Sequence, residues 1–284
     1  MRNMKPYDLK EAFEVYKDAV SRKQDGPEKT ELNNLEAPIK DCYLNYERHF
    51  KQNDLEYMPK ARVGIEHRDV LLGLFGSQTK LVKDFRKRYF EINPQTYNNL
   101  CPYCVINSSG TTEHILPKEK YPEYAVNVLN LIPGCGDCNW AKGEKVLDDD
   151  GNKLIINFYT DVLPDVQFLF VDITEKAGML RFEYKLSNEG NLINTELFAL
   201  IERHFDKLHL LKRYDEKAIQ EMAEIKNTYR AEDFENEDQY DVFSKKQVKK
   251  CDLDVPEYGR NHWKVVLLRA CAESAVFKQF IMSK

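Results

Sequence analysis

The residues of this chain best placed to do chemistry are four cysteines in two tight pairs. Cys101 and Cys104 form one Cys-x-x-Cys pair, and Cys135 and Cys138 form the other, within CPYCVINSSGTTEHILPKEKYPEYAVNVLNLIPGCGDCNWAKGEK, which ends at Lys145. Each pair puts two thiolates on one knuckle, and two knuckles can close a tetrahedral site around Zn²⁺. One pair alone would read as a buried or redox-active pair; two in one short module favour zinc. A four-thiolate site leaves no open coordination position, so such a zinc is structural. The cysteines leave the residues between them unexplained: Glu113-His114, Asn130-Leu131, and Asn139 directly after the last cysteine.

Taken in order, these residues resemble the HNH (ββα-metal) endonucleases. The zinc-containing branch of that family typically reads C-x-x-C, Asp/Glu-His-Ile-x-Pro, then Asn-Leu-x-x-x-C-x-x-C-Asn-x-x-Lys-Gly. The matching residues are Cys101-Pro-Tyr-Cys104, Glu113-His114-Ile115-Leu116-Pro117, Asn130-Leu131 and Cys135-x-x-Cys138-Asn139-Trp140-Ala141-Lys142-Gly143. Glu113 stands where Asp is commoner, and Asn139 where the last His of the family name often sits. The resemblance implies metal-assisted hydrolysis of DNA phosphodiester bonds, with His114 as the general base that takes a proton from water. It also implies a catalytic Mg²⁺ or Mn²⁺ that neutralises charge growing in the transition state. The Glu113 carboxylate and the Asn139 carbonyl are oxygen ligands of the kind such an ion takes. Asn130 would orient the His114 loop, and Lys118 and Lys142 are candidate phosphate contacts.

Two tensions accompany this reading. Adjacent side chains on a regular strand point to opposite faces, so Glu113 and His114 share one ion only if the strand is distorted there. Lys142 lies four residues after Cys138 on one helical face, where it reads equally as a phosphate contact or as a helix-end surface lysine. Trp140 reads as a core plug between helix and strands in preference to a base-stacking residue. The alternative function is a non-catalytic zinc-knuckle adaptor that binds nucleic acid or protein. An adaptor needs the cysteines but not the ordered Glu-His, Asn-Leu and Cys-Asn elements, and this favours the nuclease.

The elements that must position these residues follow from the rest of the chain. Its 284 residues can bury a sizeable core as one large domain or two small ones. Its 42% hydrophobic and 31% charged residues describe an ordinary soluble globular protein. No apolar stretch approaches a membrane span, and Cys42, Cys251 and Cys271 are scattered and odd in number. Reduced thiols in a cytoplasmic setting are expected. A net charge of −5 is unlike a general nucleic-acid coat protein, but local basic surfaces can supply phosphate contacts. One such cluster is Lys80, Lys83, Arg86, Lys87 and Arg88; another, Lys245–Lys250, follows an acidic run from Glu232 to Asp241 and reads as a solvated surface.

The expected fold is α+β: a helical region over residues 1–95, a ββα-metal core over 96–150, and a mixed strand-then-helix region over 151–284. Helices are predicted over Tyr7–Val20, about 32–52 and 68–91, with a break at Asp25-Gly26-Pro27. Gly73 to Lys80 lacks the order of a phosphate-binding loop, as does the whole chain, so no bound nucleotide is expected. Inside the module, strands are predicted at 111–116 and 128–132, a turn at Pro133-Gly134, and a helix over 137–146. The Asp148–Asn152 run reads as a solvated turn. Further strands are predicted at 154–159, 166–173 and 180–186, with a turn at Ala177-Gly178. Two helices over 194–230 and a closing one over 261–280 complete the reading, and the remaining histidines read as packing or surface residues.

A helical arm, an HNH core and a strand-then-helix tail together resemble the HNH subunits of Septu-type and retron-associated antiphage systems. In those systems a separate ATPase commonly accompanies the nuclease. The resemblance therefore implies a defence role and an ATPase partner. The tail carries apolar stripes (Leu197, Leu200, Ile201, Leu208, Leu211; Val265, Val266, Leu268, Phe277, Phe280) that could dock such a partner or fill the protein's own core.

Overall fold

A computed structural model gives the fold of the chain. It describes residues 1–8, 11–60, 63, 65–76, 79–93 and 99–283. The chain is α+β and mostly helical, with two small two-stranded sheets among the described residues. It divides into two compact units, Asn3–Leu163 and Met1–Arg2 with Pro164–Lys284. The region boundary expected at residues 95/96 lies outside the described residues. Residues 151–163 belong with the unit that carries the cysteines.

In that unit the helices are α1 (Ala12–Ser21), α2 (Pro27–Asn34), α3 (Glu36–Gln52), α4 (Arg68–Leu72) and α5 (Lys80–Ile92). The break expected at Asp25-Gly26-Pro27 separates α1 from α2, and Pro27 opens α2, because proline at the first helical position loses no intrahelical bond. The single helix predicted over 68–91 is two. Thr79 ends the interruption by capping α5, its Oγ1 accepting from Val82 N at 3.4 Å. The helices bury Tyr16, Leu32, Ile39, Tyr46 and Phe85 almost completely. Beyond them, β1 (Thr111–His114) pairs antiparallel with β2 (Leu131–Gly134), and α6 (Gly136–Lys142) follows. The register sets Glu113 opposite Ile132 and His114 opposite Leu131.

Three expectations for this unit need correction. Pro133-Gly134 is the end of β2, not a turn, and Val128–Asn130 is a single 3₁₀ turn before it. Residues 154–159 form no strand, because Asp161 Oδ2 accepts from Asn157 N (2.7 Å) and fastens this buried run into a loop. Trp140 is no core plug: it is 85% exposed. The Asp148–Asn152 run is a turn closed on itself, with Asp148 Oδ1 accepting from Asp150 N (3.0 Å) and Asn152 N (2.7 Å).

The second unit is built on a hairpin of β3 (Leu169–Lys176) and β4 (Met179–Leu186). Ala177 and Gly178, both at positive φ (53° and 74°), make the two-residue turn that suits the twist of its strands. Helices α7 (Thr195–Lys207), α8 (Leu210–Arg230), α9 (Glu237–Tyr258), α10 (Trp263–Glu273) and α11 (Ala275–Met282) complete the unit. The closing helix predicted over 261–280 is two helices, because Ser274 leaves helical geometry to cap α11. Leu200, Ile201, Leu208, Val265, Val266 and Phe277 are buried, so the two apolar stripes largely fill this unit's own core. No helix among the described residues is long and apolar enough to cross a membrane.

Candidate functional site

The four cysteines come together as expected. All are buried, and their Sγ atoms lie within 4.8 Å of one another, with Cys104 and Cys135 at 3.9 Å. A Zn–S bond of about 2.3 Å implies a tetrahedral edge of roughly 3.8 Å, so the donor set and its spacing fit zinc. Local backbone builds each knuckle. Val105 N closes the first onto Cys101 O at 2.8 Å, with Val105 at φ 48°, and Cys135 caps α6 through its Sγ, which accepts from Cys138 N at 3.5 Å. The hydrogen bond with Cys101, joined by that with Cys138, pulls the Cys104 thiol down to about 7, against the one with Cys135 and burial. The other three cysteines, Cys42, Cys251 and Cys271, are buried and not in disulfides.

Beside this cluster lies an open cleft of about 300 Å³, lined by Phe75, Glu113, His114, Lys118, Asn139 and Lys142 among others. Five residues singled out in the sequence therefore share one cavity, although Glu113 and His114 are neighbours on a strand. His114 is the last residue of β1, and Ile115 N turns away to Asn130 O at 2.8 Å. Glu113 gains room from Gly134: a Cβ there would sit 2.7 Å from Glu113 Cγ.

His114 is held in one tautomer. Its Nε2 lies 2.9 Å from Ala125 O, and a carbonyl only accepts, so Nε2 carries the hydrogen. The neutral ring then has its lone pair on Nδ1. Burial lowers its pKa to about 4, with Lys118 and Lys142 acting in the same direction and the Ala125 bond opposing. The imidazole is thus neutral at pH 7. Phe75 packs its ring against it, centroids 4.4 Å apart.

Glu113 is buried, and that burial raises its pKa; the hydrogen bond from Thr111 Oγ1 to Oε1 and the charge of Lys142 oppose the shift. Asn139 is exposed on α6. The lysines are less free than their sequence positions imply. Lys142 is buried and donates from Nζ to His114 O at 2.8 Å, so it braces the end of β1. Lys118 pairs with Glu119.

Asn130 lies outside the cleft, fully buried, and works through the backbone. Its Oδ1 accepts from Leu116 N (2.7 Å) and Tyr46 Oη (3.1 Å), and its Nδ2 donates to Leu116 O (3.0 Å) and Tyr124 O (3.2 Å). It therefore clamps the chain on both sides of the loop that follows His114.

Several residues of this supporting layer escaped sequence reading. Tyr46 reaches Asn130 from α3, Tyr124 Oη donates to Cys42 O (3.2 Å), and Tyr121 Oη to Met58 O (3.2 Å). These tyrosines tie the loop to the helical arm, and nothing in local spacing signals contacts so distant in sequence. Arg86, read as part of a basic cluster, donates to Thr111 O (2.7 Å) and Ser109 O and so anchors the entry to β1.

Fold and site together define an α+β chain with a buried four-cysteine centre suited to zinc and a polar cleft beside it. Comparisons with known proteins give distant relatives. The chain is 32% identical over 84 residues to the Septu protein PtuB of Bacillus thuringiensis, covering 25% of this chain and 33% of that protein. It is 26% identical over 129 residues to protein ea31 of Escherichia phage lambda, covering 44% of this chain and 43% of that protein. The chain thus spans less than half the length of these curated relatives. No family model matches it, and no solved structure matches it.

Proposed function

We propose that this chain is a metal-dependent endonuclease of the HNH type that hydrolyses DNA. We further propose that it is the nuclease effector of an antiphage system, acting with an ATPase partner. The observation that carries the nuclease reading is the shared cleft: Glu113, His114 and Asn139 line one cavity beside a closed four-thiolate site. In this reading β1, β2 and α6 are the ββα core, and the cysteine centre binds structural zinc. The Glu113 carboxylate and the Asn139 side-chain carbonyl would hold Mg²⁺ or Mn²⁺, with water and phosphate completing the shell. When bound, that ion supplies charge neutralisation at the phosphate and at the leaving oxygen.

The chain's own residues do the rest. His114 Nδ1, with Nε2 tied to Ala125 O, accepts the proton of the attacking water, and the Ala125 carbonyl is placed to stabilise the imidazolium that results. Asn130 fixes the backbone that carries His114, and Lys142 braces its carbonyl. Lys118, which lines the cleft paired with Glu119, would exchange that carboxylate for a phosphate oxygen. The defence role rests on the similarity to a Septu protein, and the ATPase rests on the Septu-type resemblance. The test is incubation of the full chain with supercoiled plasmid in Mg²⁺, in Mn²⁺ and without added divalent ion. Nicking or linearisation that requires the ion is expected; an intact plasmid under all three conditions would contradict the reading.

A further inference from the structure

We infer that Thr111 is a positioning residue for the cation site: it pins one oxygen of the Glu113 carboxylate and leaves the other to bind the ion, which favours Mg²⁺ or Mn²⁺ over Ca²⁺. The inference rests on the nuclease reading above and adds a means of metal selection to it. The cleft lining carries three carboxylates, Glu113, Glu119 and Glu144. Glu119 pairs with Lys118, and Glu144 lies 3.9 Å from Lys120 Nζ. Glu113 is buried, yet it has no ion pair among the described residues. Its one side-chain hydrogen bond among them is donated by Thr111 Oγ1 to Oε1, so Oε2 is left for a cation.

The hairpin holds the pin itself in place. Thr111 and Glu113 are two residues apart on β1, so their side chains share one face of the strand. Thr111 pairs with Gly134 across the ladder, and Arg86 Nη1 donates to its carbonyl at 2.7 Å. The Thr111 hydroxyl also lies 3.0 Å from Gly134 O, but it has one hydrogen, and an ionised carboxylate is the stronger acceptor. The stem of Glu113 is confined as well, since a Cβ on Gly134 would sit 2.7 Å from Glu113 Cγ. With stem and Oε1 both held, the carboxylate is not free to turn both oxygens onto one ion. One carboxylate oxygen and the Asn139 carbonyl suit Mg²⁺, which demands near-octahedral geometry and keeps several of its waters. Ca²⁺ takes about six to eight oxygens at longer range, and a carboxylate that chelates through both atoms serves it better.

The test titrates Mn²⁺ into the full chain without DNA, reading free Mn²⁺ by electron paramagnetic resonance, and then competes it with Mg²⁺ and with Ca²⁺. The site is the Mn²⁺ binding that Glu113→Gln abolishes, in preparations matched in zinc content. Loss of a ligand's hydrogen-bond partner costs metal affinity roughly 10- to 100-fold, so Thr111→Val should weaken Mn²⁺ and Mg²⁺ by that much and Ca²⁺ by less than about threefold. Thr111→Ser keeps the hydroxyl and should stay within about threefold of the wild type for all three ions. A substitution that merely damaged the fold would lower the three affinities together. An unchanged Mn²⁺/Ca²⁺ affinity ratio in Thr111→Val, or no Glu113-dependent Mn²⁺ binding by the wild type, would each overturn the proposal. A wild type that binds Mn²⁺ as expected but never cuts plasmid would instead sink the nuclease reading and leave Thr111 in its role.

Discussion

Replacing Asn130 by alanine should loosen the loop after His114 far more than any exposed substitution in the module. The side chain makes four hydrogen bonds at 2.7–3.2 Å in a fully buried position. Tyr46 Oη has a second acceptor in Leu129 O at 3.3 Å and Tyr124 O a second donor in Asn127 N at 3.2 Å, so two backbone groups bear the loss: Leu116 N–H and Leu116 O. Each stranded buried group costs about 1–3 kcal/mol, and water entering the vacated space recovers part of that, leaving about 2–4 kcal/mol. With two compact units in the chain, a single global unfolding transition is a poor gauge. Hydrogen exchange at the Leu116 amide is a better one, since that N–H donates to Asn130 Oδ1. Its exchange should accelerate on the order of a hundredfold or more, and Asn139→Ala, on the exposed face of α6, should leave it within about twofold. An unaltered Leu116 amide in Asn130→Ala, or equal acceleration in Asn139→Ala, would refute the reasoning.

Gly134→Ala should displace Glu113, because the new Cβ meets Glu113 Cγ at 2.7 Å; the checks are an undisturbed zinc content and a raised Mg²⁺ requirement for cleavage. Cys135→Ser should release the zinc measured by elemental analysis, and should unfold or aggregate the module, because zinc binding in such cores contributes on the order of 10 kcal/mol to folding. Burial lowers the pKa of His262 in the second unit from 6.5 to about 3, with the N-terminal amino group and Lys264 acting in the same direction. The unfolded chain therefore binds the extra proton between about pH 6.5 and 3, and stability falls as pH drops through that window. His262→Phe should flatten this acid dependence in a pH series of thermal melts.

The site was legible where chemistry is written into local spacing. The cysteine pairs, Glu113-His114 and Asn139 are close in sequence and need only a hairpin and one helical turn to meet. The tyrosines behind Asn130 were not legible, because Tyr46 lies 84 residues away and reads as any apolar-face residue of a helix. Trp140 was misread because burial was assigned from residue type, and residue type does not tell which side of a short helix faces the protein. Helix α9 was missed within a run read as acidic and then basic. Its apolar residues form no clear helical stripe, but Asn236 and Gln239 hold its capping signal, Asn236 Oδ1 accepting from Gln239 N at 3.0 Å.

In the proposed reaction His114 removes a proton from water at a phosphodiester bond. The most direct measurement compares single-turnover plasmid cleavage by the wild type and His114→Ala in Mg²⁺, using preparations matched in zinc content. Loss of a general base costs about two to four orders of magnitude in rate, and that loss is expected here with zinc retained. Cleavage by His114→Ala at the wild-type rate would contradict it.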